Sequence, residues 1–256
     1  MRTAWLRSAV SSVALVSCFL CVGAAPVDLS GYTIGVYVDA GAEKTCYSAA
    51  IQMFRWMGFS TRNITAADVN AGSIGDLAVV YFPGGSSPPY IQRITLEAKA
   101  GLLDAVDRGG VFIGTCAGAM FAVEVQVWEG ERYTDGQLGV FRGEAVGPAP
   151  GVCGSSGGVC AAELVTNVGH PIARSVPQVF TARYYNSPFF RADPDAETYI
   201  LATYSSTGEP AIVAQRRGAG WALLTGPHPE WEHATTWTFM KYALLWVLGL
   251  PIESDG

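Results

Sequence analysis

The chain has 256 residues, half of them hydrophobic and 15% charged, and a formal net charge of −6. That is enough apolar material for one large domain or two small ones, and an acidic balance without a Lys/Arg cluster argues against nucleic acid as a partner, because phosphate binding needs clustered cations. Thirty glycines with no repeating period indicate many tight turns rather than a fibre.

The N-terminus stands apart. Arg2 and Arg7 flank Trp5, and Ser8 to Ala25 is almost entirely small or apolar. A basic start, an apolar centre and a small-residue exit read as a secretory signal, cut after Ala24 or Ala25. Two alternatives stay open. Leu15-Val16-Ser17-Cys18 resembles a bacterial lipoprotein signal, which would lipidate Cys18. The run could also stay in the membrane as an anchor. Each reading places the protein outside the cytoplasm, secreted or periplasmic, and touching a membrane only through this segment.

Beyond it, Thr33 to Val38 is a β-rich run, and Cys46 to Met57 has helical spacing with Ala50, Phe54 and Met57 on one face. Ser60 to Ile64 reads as a second strand. Leu77 to Phe82 is a continuous apolar run, as in a strand buried on both faces, and it ends at Pro83-Gly84-Gly85. Thr95 to Asp107 reads as a helix with Leu96, Leu102, Leu103 and Val106 inward. Val111 to Ile113 is the next buried strand, and a helix starts at Ala117. After Glu124 the pattern changes: Gly139 to Val146, Val179 to Tyr185, Thr198 to Thr203 and Pro210 to Gln215 read as strands joined by Gly- and Pro-rich turns. Gly220 to Thr225 is a last strand, followed by Gly226-Pro227-His228-Pro229-Glu230. Thr235 to Leu248 is an apolar closing helix stopped by Gly249 and Pro251. Alternating strands and helices predict one α/β domain over residues 28–250: a mostly parallel, doubly wound, flavodoxin-like sheet covered by helices, with added antiparallel strands.

The six cysteines divide by context. Cys18 and Cys21 lie in the leader. Cys153 and Cys160 bracket a Gly/Ser loop that could close as a local disulfide in an oxidising compartment; a zinc pair there would lack a second pair. Cys46 reads as a small apolar core residue. Cys116 is different. In Gly114-Thr115-Cys116-Ala117-Gly118 it falls where a buried strand turns sharply into a helix, between residues small enough for a strained elbow. Such a turn lifts the sulfur out of the sheet, and the start of a helix favours a thiolate. A thiolate nucleophile needs a proton-returning base, for which His228 is the leading candidate, and Glu230 two residues on can orient its imidazole. The amides of Ala117 and of Gly84 or Gly85 are natural donors for an oxyanion.

The segments Gly114 to Gly118, His228-Pro229-Glu230 and Pro83-Gly84-Gly85 together resemble the class I glutamine amidotransferase superfamily. Tyr37 to Asp39, the Pro-Gly-Gly turn with Tyr90, and Gly110 to Ala119 are similar to the N-terminal domain of fungal biotin–protein ligases and its stand-alone relatives. The resemblance covers most of residues 32–230. It implies a Cys116–His228–Glu230 triad hydrolysing a carboxamide or related acyl group of a small amide or peptide through a thioester, with no metal or organic cofactor. No synthase or ligase domain is expected within the chain. Residue 117 is Ala, so the adjacent Cys-His pair of protease-like relatives is absent. A reading from another class, a binding module or pseudoenzyme using the same crevice, predicts an unreactive Cys116.

Other residues carry less. His170, in Gly169-His170-Pro171, reads as a surface residue, and His233 as solvated or capping. Tyr184, Tyr185 and Asn186 end a strand and either line a pocket, with Tyr185 and Asn186 touching substrate, or pack an edge. Asp39 either lines the same mouth or caps a helix. The Trp237 to Trp246 stripe reads as core, and Asn63-Ile64-Thr65 is a glycosylation sequon for a eukaryotic host.

Overall fold

The computed structural model describes residues 27–154, 158–231 and 235–252; the segment expected to be a leader, with Cys18 and Cys21, and also His233, lie outside them. The first half alternates as expected: β1 (Thr33–Tyr37), α1 (Lys44–Met57), β2 (Ser60–Ile64), α2 (Ala66–Asn70), β3 (Val79–Phe82), α3 (Ser87–Arg93), α4 (Leu96–Asp107), β4 (Val111–Thr115) and α5 (Ala117–Ala122). The second half is mostly β: β5 (Val123–Trp128), β6 (Glu131–Tyr133), β7 (Phe141–Gly147), β8 (Val159–Thr166), β9 (Val179–Tyr185), β10 (Phe189–Ala192), β11 (Thr198–Tyr204), β12 (Pro210–Arg217) and β13 (Gly220–Thr225), closed by α6 (Thr235–Val247).

The main sheet runs β2-β1-β3-β4-β13-β12-β11-β8-β9. Its first five strands are parallel, and the strands from β12 outward are antiparallel. The parallel strands show why their sequences lack alternation. Val79, Tyr81, Val111 and Ile113 pack into the core on one face, and Val80, Phe82 and Phe112 into the core on the other. Both faces are roofed by helices, so both sets must be apolar. A second sheet, β10-β7-β5-β6, was not expected from the sequence. Buried Gln215 ties it to the main sheet, accepting from the Arg142 amide at 2.6 Å and donating to the Arg142 carbonyl at 3.0 Å.

Two expectations are corrected. Leu96 is 75% exposed at the first position of α4, not inward. His170 is buried, not on the surface: it starts a 3₁₀ turn and its ring meets Trp246 edge-on at 4.4 Å. Among the described residues, no helix is long and apolar enough to cross a membrane.

Cys153 and Cys160 form a disulfide with Cα atoms 5.8 Å apart, at the start of β8. Closing so short a loop restricts the unfolded chain modestly. Cys160→Ser is expected to lower stability by about 2 kcal/mol, read by denaturant melts of the oxidised protein.

Candidate active site

The site forms where β3, β4 and β13 end side by side. Thr115 and Thr225, last residues of β4 and β13, share a buried hydroxyl–hydroxyl bond of 2.9 Å. Just beyond, the Cys116 amide donates to the Thr225 carbonyl at 2.9 Å, and the Cys116 carbonyl accepts from Met120 at 2.9 Å. Held at both ends, Cys116 takes φ 51° and ψ −106°, a conformation side chains rarely adopt. The glycines around it permit this. A Cβ on Gly118 would lie 2.0 Å from the Phe82 carbonyl oxygen, and one on Gly114 would lie 2.7 Å from the Gly118 backbone. The helix therefore packs backbone to backbone on the sheet, and the sulfur, half-buried, points into a crevice 3.8 Å from the Tyr185 carbonyl. With six residues, α5 has too short a dipole to polarise the thiol much.

The positive charge comes from the other side. His228 is held by its amide, which donates to the Arg183 carbonyl of β9 at 2.7 Å. Its buried ring stacks on Trp231 at 4.4 Å and 9°, and Nδ1 lies 2.8 Å from Glu230 Oε1. The turn carrying Glu230 is pinned from α6, as Thr236 Oγ1 donates to the Pro229 carbonyl at 2.9 Å and Trp237 Nε1 to the Glu230 carbonyl at 3.1 Å. Burial, the largest single influence, pulls the His228 pKa down. The Glu230 carboxylate and the Cys116 sulfur more than offset it, so the imidazolium persists well above the usual histidine range. Glu230 takes Nδ1, which leaves the buried Nε2 as the ring's other nitrogen.

Gly84 and Gly85 serve different ends. A Cβ on Gly84 would meet His228 Cε1 at 2.3 Å, so this glycine admits the imidazole. Gly85 adopts φ 143° in a bridge with Ala42. The bridge hydrogen bonds run through the amides of Ser86 and Glu43, at 2.8 and 2.9 Å, and leave the Gly85 amide turned away from it. Gly85 lines both cavities that meet at Cys116, and Ala117 lines one. The first, about 600 Å³, is walled by the second sheet and its flanks through Gln126, Trp128, Tyr133, Asp135 and Gln137. Both polar atoms of the Gln137 amide are buried there without partners. The second, about 640 Å³, contains Cys116, His228, Trp231 and Glu43. Tyr185 lines both and is half exposed. Asn186 lines the first, but its side chain is engaged by the Gly158 amide at 2.6 Å. Asp39 accepts from the first amide of α2 at 3.1 Å, a capping role.

Residues 33–242 match the family described as "Biotin-protein ligase, N terminal". The chain belongs to the biotin–protein ligase N-terminal family. It is 26% identical over 252 residues to the biotin–protein ligase of Schizosaccharomyces pombe, covering 86% of this chain but only 38% of that protein. In fold it is similar to PurLQS from Thermotoga maritima (16% identity, 84% and 99% of the two chains, TM-score 0.57). It is likewise similar to a Thermoplasma acidophilum protein assigned to GMP synthase (16% identity, 85% and 94% of the two chains, TM-score 0.55). The class I glutamine amidotransferase-like fold is thus shared.

One neighbour of the imidazole had no sequence signal. Cys46 of α1 places Sγ 3.8 Å from His228 Nδ1 across 182 positions of chain. Burial pushes its thiol pKa up, so it stays protonated beside the ring. The ring's own protonation has a measurable consequence. A histidine with a raised folded pKa contributes stability that is fully present below its unfolded value, about 6.5, and is lost as pH rises through the folded value. Glu230→Gln removes the carboxylate that raises it. The variant is expected to lose that contribution at a lower pH than the parent, as thermal melts between pH 6 and 9 would show.

Proposed function

We propose that this protein is an exported cysteine amidohydrolase that cleaves a carboxamide or related acyl bond through a thioester. One observation carries the reading: a strained Cys116 opens into a crevice shared with a buried His228 whose Nδ1 is held by Glu230 at 2.8 Å. In this scheme the Cys116 thiolate attacks the carbonyl carbon and a C–S bond forms. The amides of Gly85 and Ala117 receive the oxyanion. As the C–N bond breaks, imidazolium Nε2–H protonates the departing amine. Water, deprotonated by the now neutral imidazole, adds to the thioester carbonyl; the C–S bond breaks, releasing the acid and restoring the Cys116 thiolate beside the imidazolium. Glu230 holds the imidazole throughout. Tyr185, half exposed at the mouth of both cavities, would contact the substrate. The Cys153–Cys160 pairing supports an oxidising, extracytoplasmic location. The test is labelling with an electrophilic glutamine analogue, mapped by mass spectrometry and competed with a panel of amides and peptides. Selective, competable modification of Cys116 near neutral pH is expected. A Cys116 no more reactive than an unfolded thiol would favour the binding-module reading instead.

A further inference from the structure

The proposed chemistry leaves Cys46 without a task, yet Cys46, His228 and Glu230 form a compact buried trio. A sulfur, an imidazole nitrogen and a carboxylate oxygen lie within 4.8 Å of one another, and all three residues are buried. We propose that this trio is a binding site for a borderline-soft divalent ion of the zinc class, and that occupancy switches the site off.

The donors suit such an ion in kind. Thiolate, imidazole and carboxylate are the usual zinc ligands, at about 2.3, 2.0 and 2.1 Å. Tetrahedral bonds of those lengths set neighbouring donor atoms roughly 3.3–3.6 Å apart. Cys46 Sγ and His228 Nδ1 stand 3.8 Å apart, near that spacing, while Glu230 Oε1 is at 2.8 Å from the same nitrogen and would back away slightly to admit the ion. Charge also balances. The ion displaces the Cys46 thiol proton and the Nδ1 proton, and one thiolate and one carboxylate then neutralise a dication beside a neutral imidazole. A neutral assembly is what a buried site requires. Two further features point to a ligand. Glu230 Oε2 is buried with no hydrogen-bond partner, leaving acceptor capacity unused. Cys46 and His228 both line the cavity of about 640 Å³, which supplies an entry path and room for a water or the Cys116 sulfur as fourth ligand.

With the ion in place, Nδ1 is no longer held by Glu230, and the ring is a neutral imidazole whose remaining Nε2 proton is far less acidic than that of the imidazolium the scheme requires. The binding claim itself does not depend on turnover. The test is Co²⁺ titration of the full chain carrying Cys18→Ser and Cys21→Ser, so that the leader thiols are silent, followed by near-ultraviolet thiolate-to-cobalt absorption. The parent and its Cys116→Ser derivative are expected to show the band, with Zn²⁺ abolishing it by competition. Cys46→Ser should lose the band or weaken Co²⁺ binding by about 100-fold or more, with a circular-dichroism melt confirming that it folds. Loss in both cysteine variants would put both thiols on the metal and leave Cys46 a ligand. A band that survives Cys46→Ser at the parent's Co²⁺ affinity, or no band in the parent, would overturn the proposal.

Discussion

Replacing Cys116 with alanine is expected to abolish labelling by an electrophilic glutamine analogue and to lower turnover by about 10⁴-fold or more, with stability held within about 1 kcal/mol. The loss is large because the sulfur forms the covalent bond in the proposed scheme, and neither His228 nor Glu230 can substitute for it. Stability changes little because Glu230 still holds the imidazole at 2.8 Å when the sulfur is gone, and the sulfur's contact with the Tyr185 carbonyl, at 3.8 Å, is long. The backbone bonds that fix the elbow, to Thr225 and from Met120, do not involve the side chain. Alanine keeps a Cβ, and so keeps the strain of φ 51°. Glycine does not. Cys116→Gly is therefore expected to be equally unreactive but more stable than Cys116→Ala by about 1 kcal/mol, which differential melts would detect. A residue that costs stability where it stands, and whose removal costs only chemistry, is the pattern of a functional site. Undiminished labelling of Cys116→Ala would remove the nucleophile from the proposal altogether.

Much of the architecture was legible because local pattern and burial agree. Ser60–Ile64, Val179–Tyr185 and Gly220–Thr225 begin and end where their turn residues place them. The last is buried throughout, and apolar up to Thr225, because it lies between β4 and β12 inside the sheet. The misses have distinct causes. α3 was not among the expected helices; it carries Pro88 and Pro89 in its first turn, where a missing N–H costs nothing. The strands β5 and β6 follow a helix of only six residues, so their start merged with the helical run. β8 alternates exposed and buried positions, but its beginning was absorbed into the Gly/Ser loop before Cys160. The Cys116, His228 and Glu230 candidates could be named because each sits at a punctuated strand end. Cys46 could not: it is one of several small apolar positions on an ordinary amphipathic helix, and only the packing of α1 against the β13 turn brings it to the imidazole. The wall of the cavity of about 600 Å³ was hidden as well, since Trp128, Tyr133 and Gln137 belong to or flank strands that were not foreseen.

Gly84 offers the sharpest separation of chemistry from folding. Its φ lies outside the left-handed region, so alanine can adopt the backbone conformation. The added methyl, however, would stand 2.3 Å from His228 Cε1, 3.1 Å from Nδ1 and 3.2 Å from Cys46 Sγ. The ring has little freedom to yield. Trp231 lies flat against it at 4.4 Å, Glu230 holds Nδ1, and its backbone amide is bonded to Arg183. Something must shift, and a displacement near 1 Å at a reacting group costs about 10²-fold. Gly84→Ala is thus expected to slow Cys116 labelling by about 10²-fold or more while lowering stability by about 1–3 kcal/mol, the usual range for overpacking. Gly118→Ala supplies the contrast. There the new Cβ meets the Phe82 carbonyl oxygen at 2.0 Å and its carbon at 2.6 Å, fixed backbone of a central strand, so folding itself should fail or weaken by more than about 3 kcal/mol. If Gly84→Ala instead labelled at the parent rate while folded, the imidazole's position would not matter to Cys116, and the pairing of His228 with that sulfur would have to be abandoned.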